Sequence, residues 1–258
     1  MAYSDLRAVI LAVAESGEAD LAVTFLAAQT GKGVGLARGA KKSRRRFLNR
    51  LEPFSLVDLF VLDPGRPGWL RIEDAELVTP FLALRQHPER YGAACLLVEL
   101  TRAWTRTEDE AAGVFALLVW GLARLDAGQS PVHTVTLFAL RLLDLVGYRP
   151  QLAGCLRCGD LTSRGSPFWF HPWDGGIVCS VCRAGGGDRL TLATVKLLAQ
   201  AQRLPLAKLD RLHLSEAGER EALAFLEHYH RTLLDRELPA WQGLRQLLGV
   251  AAPRTAAG

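Results

Sequence analysis

No Asp or Glu occurs between Asp20 and Glu52. No apolar run approaches the ~18 residues that a membrane-crossing helix requires. No cationic segment precedes the short apolar run of the N-terminus, MAYSDLRAVILAVA, so no signal peptide is read there. These last two absences lead to the expectation of a cytoplasmic protein without a membrane role. Phosphate-loop, dinucleotide-fold and G-x-S-x-G motifs are missing as well. Gly31-Lys32-Gly33 lacks the leading glycine spacing and the Ser/Thr of a phosphate loop. The acidic cluster Glu108-Asp109-Glu110 lies where the first turn of a helix attracts negative charge. Asp58 and Asp63 have no companion carboxylates for a two-metal nuclease. His133, His213, His228 and His230 look scattered over helix or strand surfaces without partners. The expectation is a protein that is not an enzyme. No internal repeat is visible, which disfavours a solenoid.

Against that background one stretch stands out, Gly31 to Arg50, GKGVGLARGAKKSRRRFLNR. It carries Lys32, Arg38, Lys41, Lys42, Arg44, Arg45, Arg46 and Arg50 with no compensating acid. The net charge of the whole chain is only +4, so the basic character is local. A local block of that kind suits a face that binds phosphates better than a histone-like protein. Gly31, Gly33, Gly35 and Gly39 let the backbone turn tightly and approach a ligand closely. All eight basic residues are therefore candidate DNA contacts. Phe47 and Phe54 lie near enough to be considered for base stacking. Phe54 reads as core, and Phe47 suits either role.

Around the block the pattern is that of short strands. Residues 3–14, 21–26, 33–38, 54–62 and 69–77 read as strands, with Pro64, Gly65, Pro67 and Gly68 marking a turn before the last. Five strands in about 80 residues fit a small barrel of the OB-fold type, although an SH3-like barrel would give much the same pattern. After Thr79-Pro80 the texture becomes helical. Helices are expected over residues 88–104, from a Thr107/Glu110 capping box to about Leu125, and from Ser130-Pro131 to Gly147. Further helices are expected from Leu192 to Leu204 (Thr191 as cap), Glu216 to Arg236 (Ser215 as cap) and Pro239 to Leu248. Stripes such as Val114, Leu118, Leu122 and Val135, Phe138, Leu142 read as core.

Cysteine is sparse, with five in 258 residues, and four of them fall into two C-x2-C pairs. Cys155, Cys158, Cys179 and Cys182 have twenty residues between the pairs, the spacing of a four-cysteine zinc ribbon. Reduced thiols in a cytoplasmic protein argue for a metal rather than disulfides. Four thiolates close the coordination shell, so one structural Zn2+ is expected. Arg157 and Arg183 stand in the knuckles as possible charge partners. Cys95 reads as a small buried hydrophobe. The domains expected are a barrel at 1–80, a helical domain at 81–150 plus 189–250, a ribbon inserted at 151–188, and a mobile tail at 251–258. The fold class is α+β and multidomain.

In this order, several stretches resemble the RecO family of bacterial recombination mediators. They are Leu36-Ala37-Arg38-Gly39-Ala40-Lys41-Lys42, Leu51-Glu52-Pro53-Phe54, Gly147-Tyr148-Arg149-Pro150 and Gly175-Gly176-Ile177-Val178-Cys179. The resemblance runs through nearly the whole chain. It implies an N-terminal OB fold, a helical domain and a zinc ribbon. It implies binding of single- and double-stranded DNA, annealing of complementary strands, and partnership with RecR, with single-strand binding protein and, indirectly, with RecA. A second reading is an adaptor whose helices and ribbon bind protein, with only incidental DNA contact.

Overall fold

The computed structural model describes residues 2–43, 45–63, 65, 68–105, 111–162 and 166–249. The first unit is a closed barrel of five strands: β1 (Ala2–Ser16), β2 (Asp20–Ala27), β3 (Gly31–Ala37), β4 (Leu56–Asp63) and β5 (Leu70–Thr79), in the order β1-β2-β3-β5-β4. β1 is long enough to pair with β4 from Ala2 to Val9 and with β2 from Ala8 to Ser16, through a register shift between Ile10 and Ala12. The run RAVILAV does not alternate in polarity because both of its faces are covered. Leu6, Ala8 and Ile10 fill the barrel, while Val9 and Leu11 belong to the helical core. A short parallel seam, Gly35↔Leu70 to Ala37↔Ile72, closes the cylinder.

Two glycines expected to approach a ligand have another purpose. A Cβ on Gly33 would lie 2.7 Å from the Phe25 ring, and one on Gly35 would lie 2.6 Å from Ile72. β3 thus leaves its inner face empty so that these two large side chains can fill it. Gly31 and Gly39 do serve turns, at φ 72° and 69°.

The helices are α1 (Leu82–Arg85), α2 (Pro88–Trp104), α3 (Ala111–Asp126), α4 (Pro131–Leu145), α5 (Leu192–Ala201), α6 (Glu216–Leu234) and α7 (Pro239–Leu248). The side chains of Ser130, Thr191 and Ser215 accept from His133 N, Thr194 N and Gly218 N, as their cap positions require. The Thr107/Glu110 capping box and the tail at 251–258 fall outside the described residues. α5 ends at Ala201 rather than Leu204. There the Arg141 guanidinium takes the carbonyls of Ala201, Gln202 and Leu204 at 2.9–3.0 Å, satisfying the helix end in place of another turn. α6 stops at Leu234, because Asp235 adopts φ 50°.

Between α4 and α5 lies a small sheet of β6 (Phe168–His171), β7 (Gly176–Cys179) and β8 (Asp188–Leu190), ordered β7-β6-β8. It is docked on α6. Phe170 packs against Phe225 and Tyr229 with ring centroids 4.8 and 4.9 Å apart, and Asp188 Oδ2 lies 2.8 Å from His228 Nδ1.

Barrel and helices share apolar contacts and several polar ties. Arg85 donates to Pro53 O and Ser55 Oγ and lies over the Phe54 ring. Phe54 and Phe81 are buried at this joint with left-handed backbone, φ 74° and 46°. Phe54 therefore precedes β4 instead of opening it.

Candidate nucleic-acid interface and metal centre

The basic segment joins β3 to β4 across one end of the barrel. Its first half is fixed to the β1–β2 turn. Gly39 N donates to Asp20 Oδ1 at 2.8 Å, and Lys41 N to Ala19 O at 3.0 Å. Lys41 Nζ reaches Gly17 O at 3.2 Å and Glu15 at 2.9 Å. The second half is fixed to β5. Arg46 donates to Glu73 O and Arg38 O at 3.0 and 3.2 Å, and Arg50 to Ala75 O at 2.6 Å. Ala40, Phe47 and Leu51 plug the barrel interior beneath. The sequence suggests a flexible loop with too few apolar residues for a core. Three apolar anchors suffice, because the barrel supplies the rest of the core.

This architecture separates the eight candidate DNA contacts. Arg38, Lys42 and Arg45 are exposed and carry no ion pair among the described residues. Lys41 is paired with Glu15, and Arg46 and Arg50 brace the segment against β5. Lys32 lies apart from the others. Its ammonium donates to Arg102 O at 3.0 Å, in the last turn of α2, where helix carbonyls favour a cation. Burial, and then the charge of Arg102, push its pKa down. Arg44 lies outside the described residues. Phe47 and Phe54 are 4% and 3% exposed, so neither can present a face to a base. Trp69, expected as the start of the fifth strand, instead precedes β5 and is 53% exposed. The turn-then-strand pattern before it was the available signal.

The second site gathers Cys155, Cys158, Cys179 and Cys182, whose sulfurs all lie within 4.8 Å of one another. A tetrahedral ion with ~2.3 Å metal–sulfur bonds separates its ligands by ~3.8 Å. The Cys158 and Cys179 sulfurs are 3.7 Å apart. Arg157 N and Cys179 N each point at Cys155 Sγ at 3.4 Å, the usual backbone support of a thiolate in a knuckle. Gly154 makes the first knuckle possible, since a Cβ there would fall 2.5 Å from Gly159 O. Burial pushes Cys155 up, but backbone N–H groups outweigh it and bring the thiol down to about 6. Cys182 is pushed up to about 12, first by its hydrogen bonds with Cys158 and Cys179. These four sulfurs could hold one divalent ion, which would take them as thiolates. Arg183 lies over the Trp169 ring at 4.2 Å and donates to Gly186 O. His171 is not among the clustered ligands.

Three histidines are built into the structure rather than left on its surface. His133 is buried 3.3 Å from Glu219, and His228 meets Asp188. His230 is fully buried, accepting from Trp104 Nε1 at 2.8 Å with its other nitrogen 3.2 Å from Ala139 O. Cys95 is half-buried against the helical core. No helix among the described residues is long and apolar enough to cross a membrane.

Two family models together span most of the chain. Recombination protein O N terminal matches residues 1–81, and Recombination protein O C terminal matches residues 85–242. A DNA repair protein RecO from Nocardioides sp. is 38% identical over 201 residues, covering 77% of this chain and 81% of that protein. One from Anaeromyxobacter dehalogenans is 35% identical over 253 residues, covering 96% and 98%. One from Roseiflexus sp. is 34% identical over 254 residues, covering 96% and 88%.

Proposed function

The chain belongs to the RecO family of DNA repair and recombination proteins, and from that premise we propose that it is a non-enzymatic mediator that binds single- and double-stranded DNA and anneals complementary strands. It assists RecA loading together with RecR, on DNA covered by single-strand binding protein, in the cytoplasm. The barrel, read as an OB fold, is the DNA-binding domain over residues 1–80. The helical domain covers 81–150 and 189–250, and the ribbon at 151–188 carries one structural Zn2+ on Cys155, Cys158, Cys179 and Cys182. When bound, zinc supplies a cross-link between the two knuckles.

The observation that carries this reading is the trio Arg38, Lys42 and Arg45, exposed and without ion pairs among the described residues, on a segment braced to the barrel. A braced segment holds its cations in place without an ordering cost on binding. Phosphates of either strand are neutralised there without base recognition, which annealing requires. Lys41 and Arg44 are further candidate contacts. Lys32, Arg46 and Arg50 act indirectly, through the geometry they hold.

The test is annealing of two complementary oligonucleotides coated with single-strand binding protein, followed across a salt series. Acceleration that fades steeply with salt is the expected result. Joint substitution Arg38→Glu, Lys42→Glu and Arg45→Glu is expected to abolish it with an unchanged circular dichroism spectrum. Three lost phosphate contacts would flatten the logarithmic salt slope for single strands by about 2. Unchanged DNA affinity in the folded triple variant would overturn the reading in favour of an adaptor.

A further inference from the structure

A lone exposed tryptophan is ordinary, so the exposure of Trp69 decides nothing by itself. Its position does. Leu70 packs against the barrel interior and pairs with Gly35, whose missing side chain is replaced by Ile72. Strand alternation therefore turns Arg71 outward on β5 and Val34 and Leu36 outward on β3, with the exposed Trp69 just before β5 and the exposed Arg38 just after β3. Across the barrel wall, Leu36 pairs with Arg71, Arg71 with Leu62, and Leu62 with Tyr3. Tyr3 is 77% exposed. Trp69 and Tyr3 thus lie towards one outer face of the barrel, in a row with Leu36, Leu62 and Arg71, whose guanidinium is paired with Glu73.

The row lies on the strand that the basic segment grips. Arg46 crosses the same β3–β5 seam at its far end, between Arg38 O and Glu73 O. Trp69 directly precedes Leu70, the partner of Gly35, so it lies about four residues along the seam from Arg38, a span on the order of 13 Å. Aromatic faces beside a cationic track are how sequence-tolerant single-strand binders hold bases and phosphates together.

We propose that Trp69 and Tyr3 form a base-stacking platform for single-stranded nucleic acid, its phosphates running along Arg38, Lys42 and Arg45. This rests on the DNA-binding reading and deepens it, because it separates single strands from duplexes. A paired base has no free face to offer. Phosphate contacts alone would not make that distinction.

The full chain is titrated by fluorescence anisotropy with an oligothymidylate, an abasic oligonucleotide of equal length, and a duplex. Wild type is expected to prefer oligothymidylate over the abasic strand. Trp69→Ala should weaken oligothymidylate binding about tenfold, the loss of roughly one stacked base. It should leave abasic and duplex binding unchanged. Trp69→Phe should retain most of the affinity, and adding Tyr3→Ala to Trp69→Ala should remove the remaining preference. Equal wild-type binding of both strands, or a preference that survives in the double variant, overturns the platform while leaving salt-dependent DNA binding intact. Wild type that binds none of the three probes removes the DNA-binding reading itself, and the platform with it.

Discussion

His230 is the residue whose chemistry is most sharply set by its surroundings. Nδ1 accepts the Trp104 N–H, so the proton of the neutral ring sits on Nε2, facing Ala139 O. Burial pulls its pKa down to about 4, with the Ala139 carbonyl opposing more weakly. The unfolded chain binds this proton near the ordinary histidine value of ~6.5, so the contribution is whole above that pH. It is lost as pH falls from ~6.5 towards 4, by on the order of 3 kcal/mol for a shift of this size. Thermal melts across that interval should show falling stability. In His230→Gln the fall should be shallower, from a lower starting point at pH 7, because a neutral amide cannot take up the proton. An equal slope in both proteins would assign the loss to other groups. Nothing in the local sequence marks His230 as different from His213, since its partners come from α2 and α4. Arg46 gives a second case. In sequence it is one of a run of arginines. In the fold its guanidinium bridges two carbonyls, so Arg46→Ala should expose the segment at 38–50 to trypsin, whereas Lys42→Ala should not.

At the level of elements, boundaries were legible where a local signal sets them. Ser130, Thr191 and Ser215 each cap the helix their sequences announce, and Pro88 opens α2 as its position suggests. Ends set by distant partners were not legible. α5 is closed by Arg141 from α4, and β4 is delayed by the left-handed turn at Phe54. The meeting of the four cysteines was legible, because two C-x2-C pairs at that separation suit one clustered site. Chelation of the holo protein with a strong zinc ligand should release one equivalent of metal and lower the melting temperature. The helical far-ultraviolet signal should largely remain at 25 °C, since Phe168, Phe170 and Ile177 stay buried against the helices. The glycines of β3 were legible as special but not as to why. Gly35→Ala should cost about 1–3 kcal/mol in urea denaturation, as overpacking against Ile72 does.

For the whole molecule, the five strands, the helical texture and the separate cysteine unit could all be read in order along the chain. How they are joined could not. Val9, Leu11 and Leu26 leave the barrel to join the helical core, and Lys32 leaves the basic cluster to meet α2. Arg85 reaches back to the loop before β4. A core shared in this way should give one cooperative melt, with tryptophan fluorescence and circular dichroism coinciding. Arg85→Ala is expected to lower its midpoint by a few degrees, a shift of the size expected from a loss of about 1 kcal/mol.

The pairing of Gly33 with the Phe25 ring also has a meaning for inheritance. The ring occupies the volume that any side chain at position 33 would need. The two codons therefore act as one locus. A larger residue at 33 is tolerated only in a lineage whose position 25 has already shrunk. That order passes through a cavity rather than a clash, and so offers the easier path.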